Sequence, residues 1–212
     1  MMIDRQRFFS TMRGILFGGK LTVAQVRGTE MVLDMFQQRA AGGDVRHLAY
    51  ALATAFHETG ATMQPVRETM APNDDAAIGI LDRAFAAGRL GQVKVPYWRR
   101  DAEGKSWLGR GLVQLTHRRN YEAMSAVTGI DLVGRPERAM EPQVSALILV
   151  EGMMRGSFTG RRLSHYFSGV RADWEGARAI INGTDRAGLV AGYGRAFHMG
   201  MTASRIEQAA AG

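Results

Sequence analysis

Between residues 93 and 117 the sequence VKVPYWRRDAEGKSWLGRGLVQLTH is rich in glycine, aromatic and β-branched residues. It interrupts a chain whose other segments mostly carry apolar residues at helical spacing. This stretch reads as one or two short strands with loops, with 112–116 a candidate for one of them. A strand there puts Gln114 and Thr116 on one face and Val113 and Leu115 on the other. The fold class that follows is mainly α, with a small β element in the middle.

The helical segments carry their own start and stop signals. LTVAQVRGTEMVLDMFQQRA opens with Thr22 and Gln25 at capping-box spacing. DVRHLAYALATAFHE has Asp44 as N-cap and a stripe of Val45, Leu48, Ala49, Leu52 and Phe56. NDDAAIGILDRAFAAG carries Ile78, Leu81 and Phe85, with Gly88 at its end, and Pro142 suits the first turn of EPQVSALILVEGMMRG. Further helical patterns lie near 161–168, 173–181 and 187–203. The terminal QAAAG reads as a frayed end. No repeat or linker divides the 212 residues, of which 46% are hydrophobic, enough for one core. A single domain over 1–212 is expected, with 1–40 a helical segment packed on it and no separate binding module.

Several classes of function drop out early. There is no cysteine, so neither disulfides nor thiolate metal sites are available. His57-Glu58 is not a zinc protease motif, because the second histidine would fall where Ala61 stands. Gly104-Lys105-Ser106 is not a phosphate loop, because Arg99 occupies the place of the first glycine. No metal or cofactor is expected. The longest apolar run, VSALILV, is far below the ~20 residues that span a bilayer, and the charged start does not read as a secretory signal. Neither membrane insertion nor a cleaved leader is expected.

The net charge is +7, and all but three of the 27 basic residues are arginine. Such a balance suits nucleic acid, an anionic membrane or an anionic polymer such as cell-wall glycan. The arginines are dispersed and no nucleic-acid recognition motif is present, which argues against nucleic acid.

Three short stretches carry chemistry. In ATAFHETGAT, Glu58 closes a helix and Gly60 is a natural C′ residue. On a wheel of ~100° per residue Glu58 falls at about 220° from Val45, away from the apolar stripe. The negative end of the helix dipole disfavours a carboxylate there, so it should hold its proton more tightly, as a general acid requires. A solvated surface glutamate is the plainer alternative. In GRGLVQLTHRRNY, Gln114 and Thr116 line one surface, and Asn120 and Tyr121 open the next helix. In AIINGTD, Asn182-Gly183 reads as a helix end or tight turn, or as an amide placed for a carboxylate or a sugar.

Together these stretches resemble the family 19 glycoside hydrolases, the plant-type chitinases and the phage endolysins related to them. FHETG (56–60), GRGLVQLTHRRNY (109–121) and IING (180–183) stand in the family's order, and the resemblance covers roughly 45–200. YWRRDAEGKSWLGRG looks more like the phage and bacterial branch. The resemblance implies a lysozyme-like, mostly helical fold with a cleft between two lobes, and hydrolysis of β-1,4 bonds beside N-acetylhexosamines with inversion. It implies that Glu58 is the general acid and that Thr116 helps hold the attacking water. It implies a substrate-binding set of His57, Gln114, Asn120, Tyr121 and Asn182. The general base is open among Glu68, Asp74 and Asp75. Inversion asks for carboxyl groups ~6.5–9.5 Å apart, and a loop through Pro65 could return Glu68 across the cleft, with Arg67 to keep it ionised. Asp74 and Asp75 read as N-cap and first-turn acid of the next helix. Glu68 is preferred.

The expected function is that of a peptidoglycan-degrading endolysin. It would be monomeric, made in the host cytoplasm and released to the wall at lysis. A chitinase, or a non-catalytic basic protein binding glycan or nucleic acid, are the alternatives.

Overall fold

A computed structural model describes residues 3–91 and 93–206; the frayed end expected over 208–212 lies outside them. Seven helices are found among the described residues. They are α1 (Arg5–Ile15), α2 (Val23–Arg39), α3 (Val45–Glu58), α4 (Asp74–Ala86), α5 (Arg118–Thr128), α6 (Pro142–Arg155) and α7 (Ala187–Ala203). Two small antiparallel sheets join them. β1 (Val66–Arg67) pairs with β2 (Arg110–Gly111), Val66 facing Gly111, and β3 (Phe167–Ser168) pairs with β4 (Arg171–Ala172).

Where the cause of a helix is local, the sequence signals appear in place. Thr22 and Gln25 close a full capping box at the start of α2. The Asp44 carboxylate accepts from the Arg46 amide at 2.9 Å, and Pro142 occupies the first turn of α6. At α4 the cap is one residue earlier than expected. Asn73 Oδ1 accepts from the Ala76 amide at 2.9 Å, which leaves Asp74 and Asp75 inside the first turn.

α3 is the axis of the molecule. His47 through Phe56 are buried on every side of it, not along one stripe. Its alternating alanines, Ala49, Ala51, Ala53 and Ala55, are fully buried, and their small side chains admit neighbours from all directions. α7 packs along it, α1 packs on α7, and α2 packs on α6. Most of the buried apolar residues, from Phe8 to Met201, form one cluster around this axis. Each large side chain so buried contributes about 1.5–3 kcal/mol. A smaller separate cluster holds Ala71, Ala77, Leu81, Trp98 and Leu108. α2 also fastens the loop that follows α3. Gln25 Nε2 donates to the Ala61 carbonyl at 3.0 Å, and Gln64 Nε2 to that of Ala24 at 2.6 Å.

Three expectations need correction. Residues 112–116 are a tight turn rather than a strand. The Arg110 amide donates to the Leu115 carbonyl at 3.2 Å and the Leu115 amide to that of Arg110 at 2.9 Å, which folds the chain back on itself. The sorting of side chains survives: Leu112, Val113 and Leu115 are buried, while Gln114 and Thr116 stay half-buried. The segments near 161–168 and 173–181 are not α-helices. They form 3-10 turns at Leu163–His165 and Gly176–Ile180, separated by the β3–β4 hairpin. Their apolar spacing instead serves an aromatic group, with Phe167 4.8 Å from Trp174 and 5.6 Å from Tyr50 of α3. The β structure therefore extends beyond the middle of the chain.

Candidate active site

α3 ends in a Schellman motif. The Ala61 amide donates to the Phe56 carbonyl at 2.7 Å and the Gly60 amide to that of His57 at 3.2 Å. Gly60 takes φ 57°, the left-handed conformation that glycine adopts without a steric penalty. This fixes Glu58 in the last turn. Its side chain is only 15% exposed and its Oε1 accepts from Arg178 Nη1 at 2.6 Å. It is not a solvated surface glutamate. Arg178 is itself buried, on the 3-10 turn that precedes Asn182, and its Nε donates to the Asp185 carbonyl at 2.9 Å. A guanidinium at a helix C-terminus compensates both the dipole and the carboxylate.

Glu58 opens into a cavity of about 370 Å³. Its wall brings together Glu58, Gln114, Thr116, Asn120 and Asn182, drawn from all three stretches singled out in the sequence, with Tyr97, His117, Arg119, Phe158 and Thr159. Thr116 Oγ1 donates to the Gln114 carbonyl at 2.6 Å, so its remaining capacity is as an acceptor. Asn120 Nδ2 donates to the Thr116 carbonyl at 2.7 Å, and Gln114 Nε2 to that of Val66 at 2.9 Å. Both amides therefore brace the turn. Two further cavities lie elsewhere: one of about 330 Å³, lined by Leu33, Phe36, Val45 and Leu48 among others, has no carboxylate, and one of about 420 Å³, lined by Arg27, Glu30, Asp34 and Gln38 among others, takes no residue from the three stretches.

Glu68 does not itself line the cavity, but it is tied to its wall. Its Oε1 accepts from the Tyr97 hydroxyl at 2.6 Å and its Oε2 from the Gly109 amide at 2.8 Å. Burial, and then the bond to Glu68, raise the Tyr97 hydroxyl pKa well above its ordinary value, so it stays a donor. Around Gly109 there is no room for a side chain. A β-carbon there would stand 2.9 Å from Gln114 Oε1, 3.2 Å from Thr116 Oγ1 and 3.4 Å from Glu68 Cβ. Glu68 and Thr116 thus approach each other across a bare backbone.

Other placements differ from expectation. Arg67 does not accompany Glu68; its Nε donates to Asp74 at 2.6 Å. Asp74 also pairs with the buried Arg110. Burial opposes the Asp74 charge, but the bonds from Arg110 and Arg67 outweigh it and lower its pKa. Asp75 pairs with Arg100 at 2.6 Å, out in solvent. Tyr121 is not on the cavity surface. It is fully buried, donates to the Leu108 carbonyl at 2.9 Å and accepts from Arg110 Nη1 at 2.8 Å. Its hydroxyl is pushed up to about 12, chiefly by burial. His57 is half-buried, 6.4 Å from the Tyr193 ring and outside the cavity wall.

Arg178, Tyr97 and Arg110 were missed by sequence reasoning. For Arg178 a signal existed, since a single charge inside GARAII must find a partner if that run is buried.

Backbone strain gathers at the same place. Among the described residues seven non-glycines have positive φ: Ala61, Met63, Thr69, Met70, Gln114, His117 and Arg186. Six of them lie in the loops that follow Glu58, flank Glu68 or flank Thr116. Each costs of order 1–3 kcal/mol, and such strain clusters at functional sites.

No protein-family model matches the chain, and no curated protein matches its sequence. Among the described residues no group of three or more His, Asp or Glu is placed to hold a metal ion. No described helix is long and apolar enough to cross a membrane.

The histidines set an expected pH dependence of stability. His57, His117 and His198 all have lowered pKa values, in each case chiefly because burial disfavours the imidazolium. The unfolded chain then binds more protons below about pH 6.5, so stability falls as the pH drops beneath that value. Asp74 and Asp44, with lowered carboxyl pKa values, add stability that is present above pH 3.8 and lost as the pH falls through their folded-state values. The unfolding midpoint should hold above pH 7 and decline between pH 6.5 and 5. A midpoint that rises over that interval would contradict these environments.

Proposed function

We propose that this protein is a glycoside hydrolase with a lysozyme-like, two-lobed helical architecture, and that it cleaves the β-1,4-linked glycan of the bacterial cell wall. The observation that carries the reading is convergence. Three stretches more than 120 residues apart at their extremes, each resembling a family 19 motif, supply Glu58, Thr116 and Asn182 to one cavity. Such a cavity, with a few convergent polar groups, is the usual form of a small-molecule or substrate site.

In this mechanism Glu58 protonates the leaving oxygen. Glu68 accepts a proton from water on the opposite face, and the anomeric carbon inverts. Thr116, its own proton committed to the Gln114 carbonyl, accepts a hydrogen bond from that water. With its two protons directed to Thr116 and Glu68, the water presents a lone pair to the sugar. Tyr97 and the Gly109 amide hold the Glu68 carboxylate in orientation. No metal or cofactor takes part. The protein works as a monomer, made in the cytoplasm of a bacterial host and meeting the wall at lysis.

The test is hydrolysis of purified wall sacculi and of colloidal chitin, assayed side by side by reducing-end release. Sacculi should be cleaved and chitin much less so. With a net charge of +7, wall hydrolysis should also fall as salt shortens the Debye length below its ~8 Å at physiological ionic strength. A folded protein that releases nothing from either polymer would sink the hydrolase reading.

A further inference from the structure

Arg118 and Arg119 sit side by side in the first turn of α5, with the same charge and opposite surroundings. Arg118 Nε donates to Glu122 Oε1 at 3.0 Å, one turn along the helix. Its guanidinium also lies 5.6 Å over the Trp107 ring. Arg119 is exposed, lines the cavity that holds Glu58, and forms no ion pair with any described carboxylate.

The other charges that line the cavity wall, or bond to it, are already answered. Glu58 is the one other formally charged residue on its wall, and Arg178 pairs with it. Glu68, joined to the wall through Tyr97, has a donor on each oxygen. His117 is exposed at its edge, yet its ring lies 4.4 Å from that of Tyr97, and desolvation, followed by the charge of Arg119, holds it toward the neutral form. What remains on the wall is one guanidinium with no anion.

A guanidinium offers a rigid fork of donors that matches a carboxylate. A neutral N-acetylhexosamine strand has no anion to meet it, while a strand with lactyl or peptide carboxylates does. We infer that Arg119 reads a carboxylate borne on the glycan, which makes the cavity selective for an anionic, carboxyl-substituted strand over neutral chitin. The inference rests on the hydrolase reading for the reaction but not for binding. A charge-assisted contact of this kind changes affinity by roughly tenfold to a hundredfold.

The experiment compares purified sacculi with the same sacculi after their carboxylates are converted to amides. Binding of the full-length protein is read by co-sedimentation, and KM and kcat by reducing-end release. Amidation should weaken wild-type binding about tenfold or more. Arg119→Ala should lose that much on native sacculi, through KM rather than kcat, and should no longer respond to amidation. Arg119→Lys should recover part of the response. Arg118→Ala removes the same charge one position away and should respond to amidation as wild type does. If the two alanine variants behave alike, the effect belongs to net charge and the role of Arg119 is overturned. Equal wild-type binding to both forms of the polymer overturns it as well. Arg119-dependent binding without hydrolysis would remove the enzymatic reading and leave the carboxylate-reading role standing, whereas absence of binding to either form removes both.

Discussion

Glu58→Gln should lower glycan hydrolysis by about 10²–10⁴-fold, the usual contribution of a positioned general acid, while leaving the circular dichroism spectrum unchanged. Glutamine keeps the shape of the side chain, and its amide oxygen can still accept from Arg178 Nη1, which now lies 2.6 Å from Glu58 Oε1. What is lost is the transferable proton. Arg178 is 2% exposed, and in the variant it has lost its carboxylate partner. Some loss of thermal stability is therefore expected, and activity should be measured well below the variant's unfolding midpoint. The loss should appear in kcat, because the acid acts on the bond being broken and not on the bound sugar. Near-normal hydrolysis by a folded Glu58→Gln protein would reject the assignment.

The three candidate bases should separate along two axes. Glu68→Gln should reduce hydrolysis by a similar 10²–10⁴-fold with little effect on stability, since the glutamine oxygen can still accept from the Gly109 amide while its NH2 donates to the Tyr97 hydroxyl oxygen. Asp74→Asn should do the reverse. Asp74 bridges Arg67 and Arg110, and Arg110 is 1% exposed. Removing one partner of a buried pair leaves an uncompensated charge, at a cost of about 3–5 kcal/mol. Asparagine, which keeps one acceptor, should fall at or below the lower end. This stability role is an ion pair and not the helix cap expected for Asp74, because Asn73 makes the cap. Asp75→Asn should change neither property, since its pair with Arg100 lies in solvent, where such pairs are worth little. Hydrolysis and chemical denaturation of the three variants give the answer. If Asp74→Asn abolishes activity at unchanged stability and Glu68→Gln stays active, Glu68 is not the base.

The same contrast between neighbouring carboxylates shows what a sequence can carry. The capping box of Thr22 and Gln25, the Asp44 cap, Pro142 at the start of α6 and Gly60 past the end of α3 could all be read directly, because each acts on backbone groups within a few residues. So could the span of α7 from 187 to 203, where seventeen residues keep one pattern. The cavity-facing set of Glu58, Gln114, Thr116, Asn120 and Asn182 was legible as residue types at motif spacing.

What the tertiary structure decided has partners far along the chain. Glu58 sits on the far side of the α3 stripe, yet it is not solvated, because Arg178, 120 residues on, covers that side. Tyr121 looked like a cavity residue, and became core because the buried Arg110 takes its hydroxyl as a partner. Arg67 stands next to Glu68 in sequence but pairs with Asp74, seven residues away. Residues 110–115 and 161–181 carry apolar patterns too short to select between helix, strand and turn. Pairing of Arg110 with Leu115 and packing of Phe167 on Trp174 made that choice. Local backbone capping is fixed by residues adjacent in sequence and survives in any fold. A buried charge or a short segment takes its partner from whatever the packing brings near, and that information is spread over the whole chain.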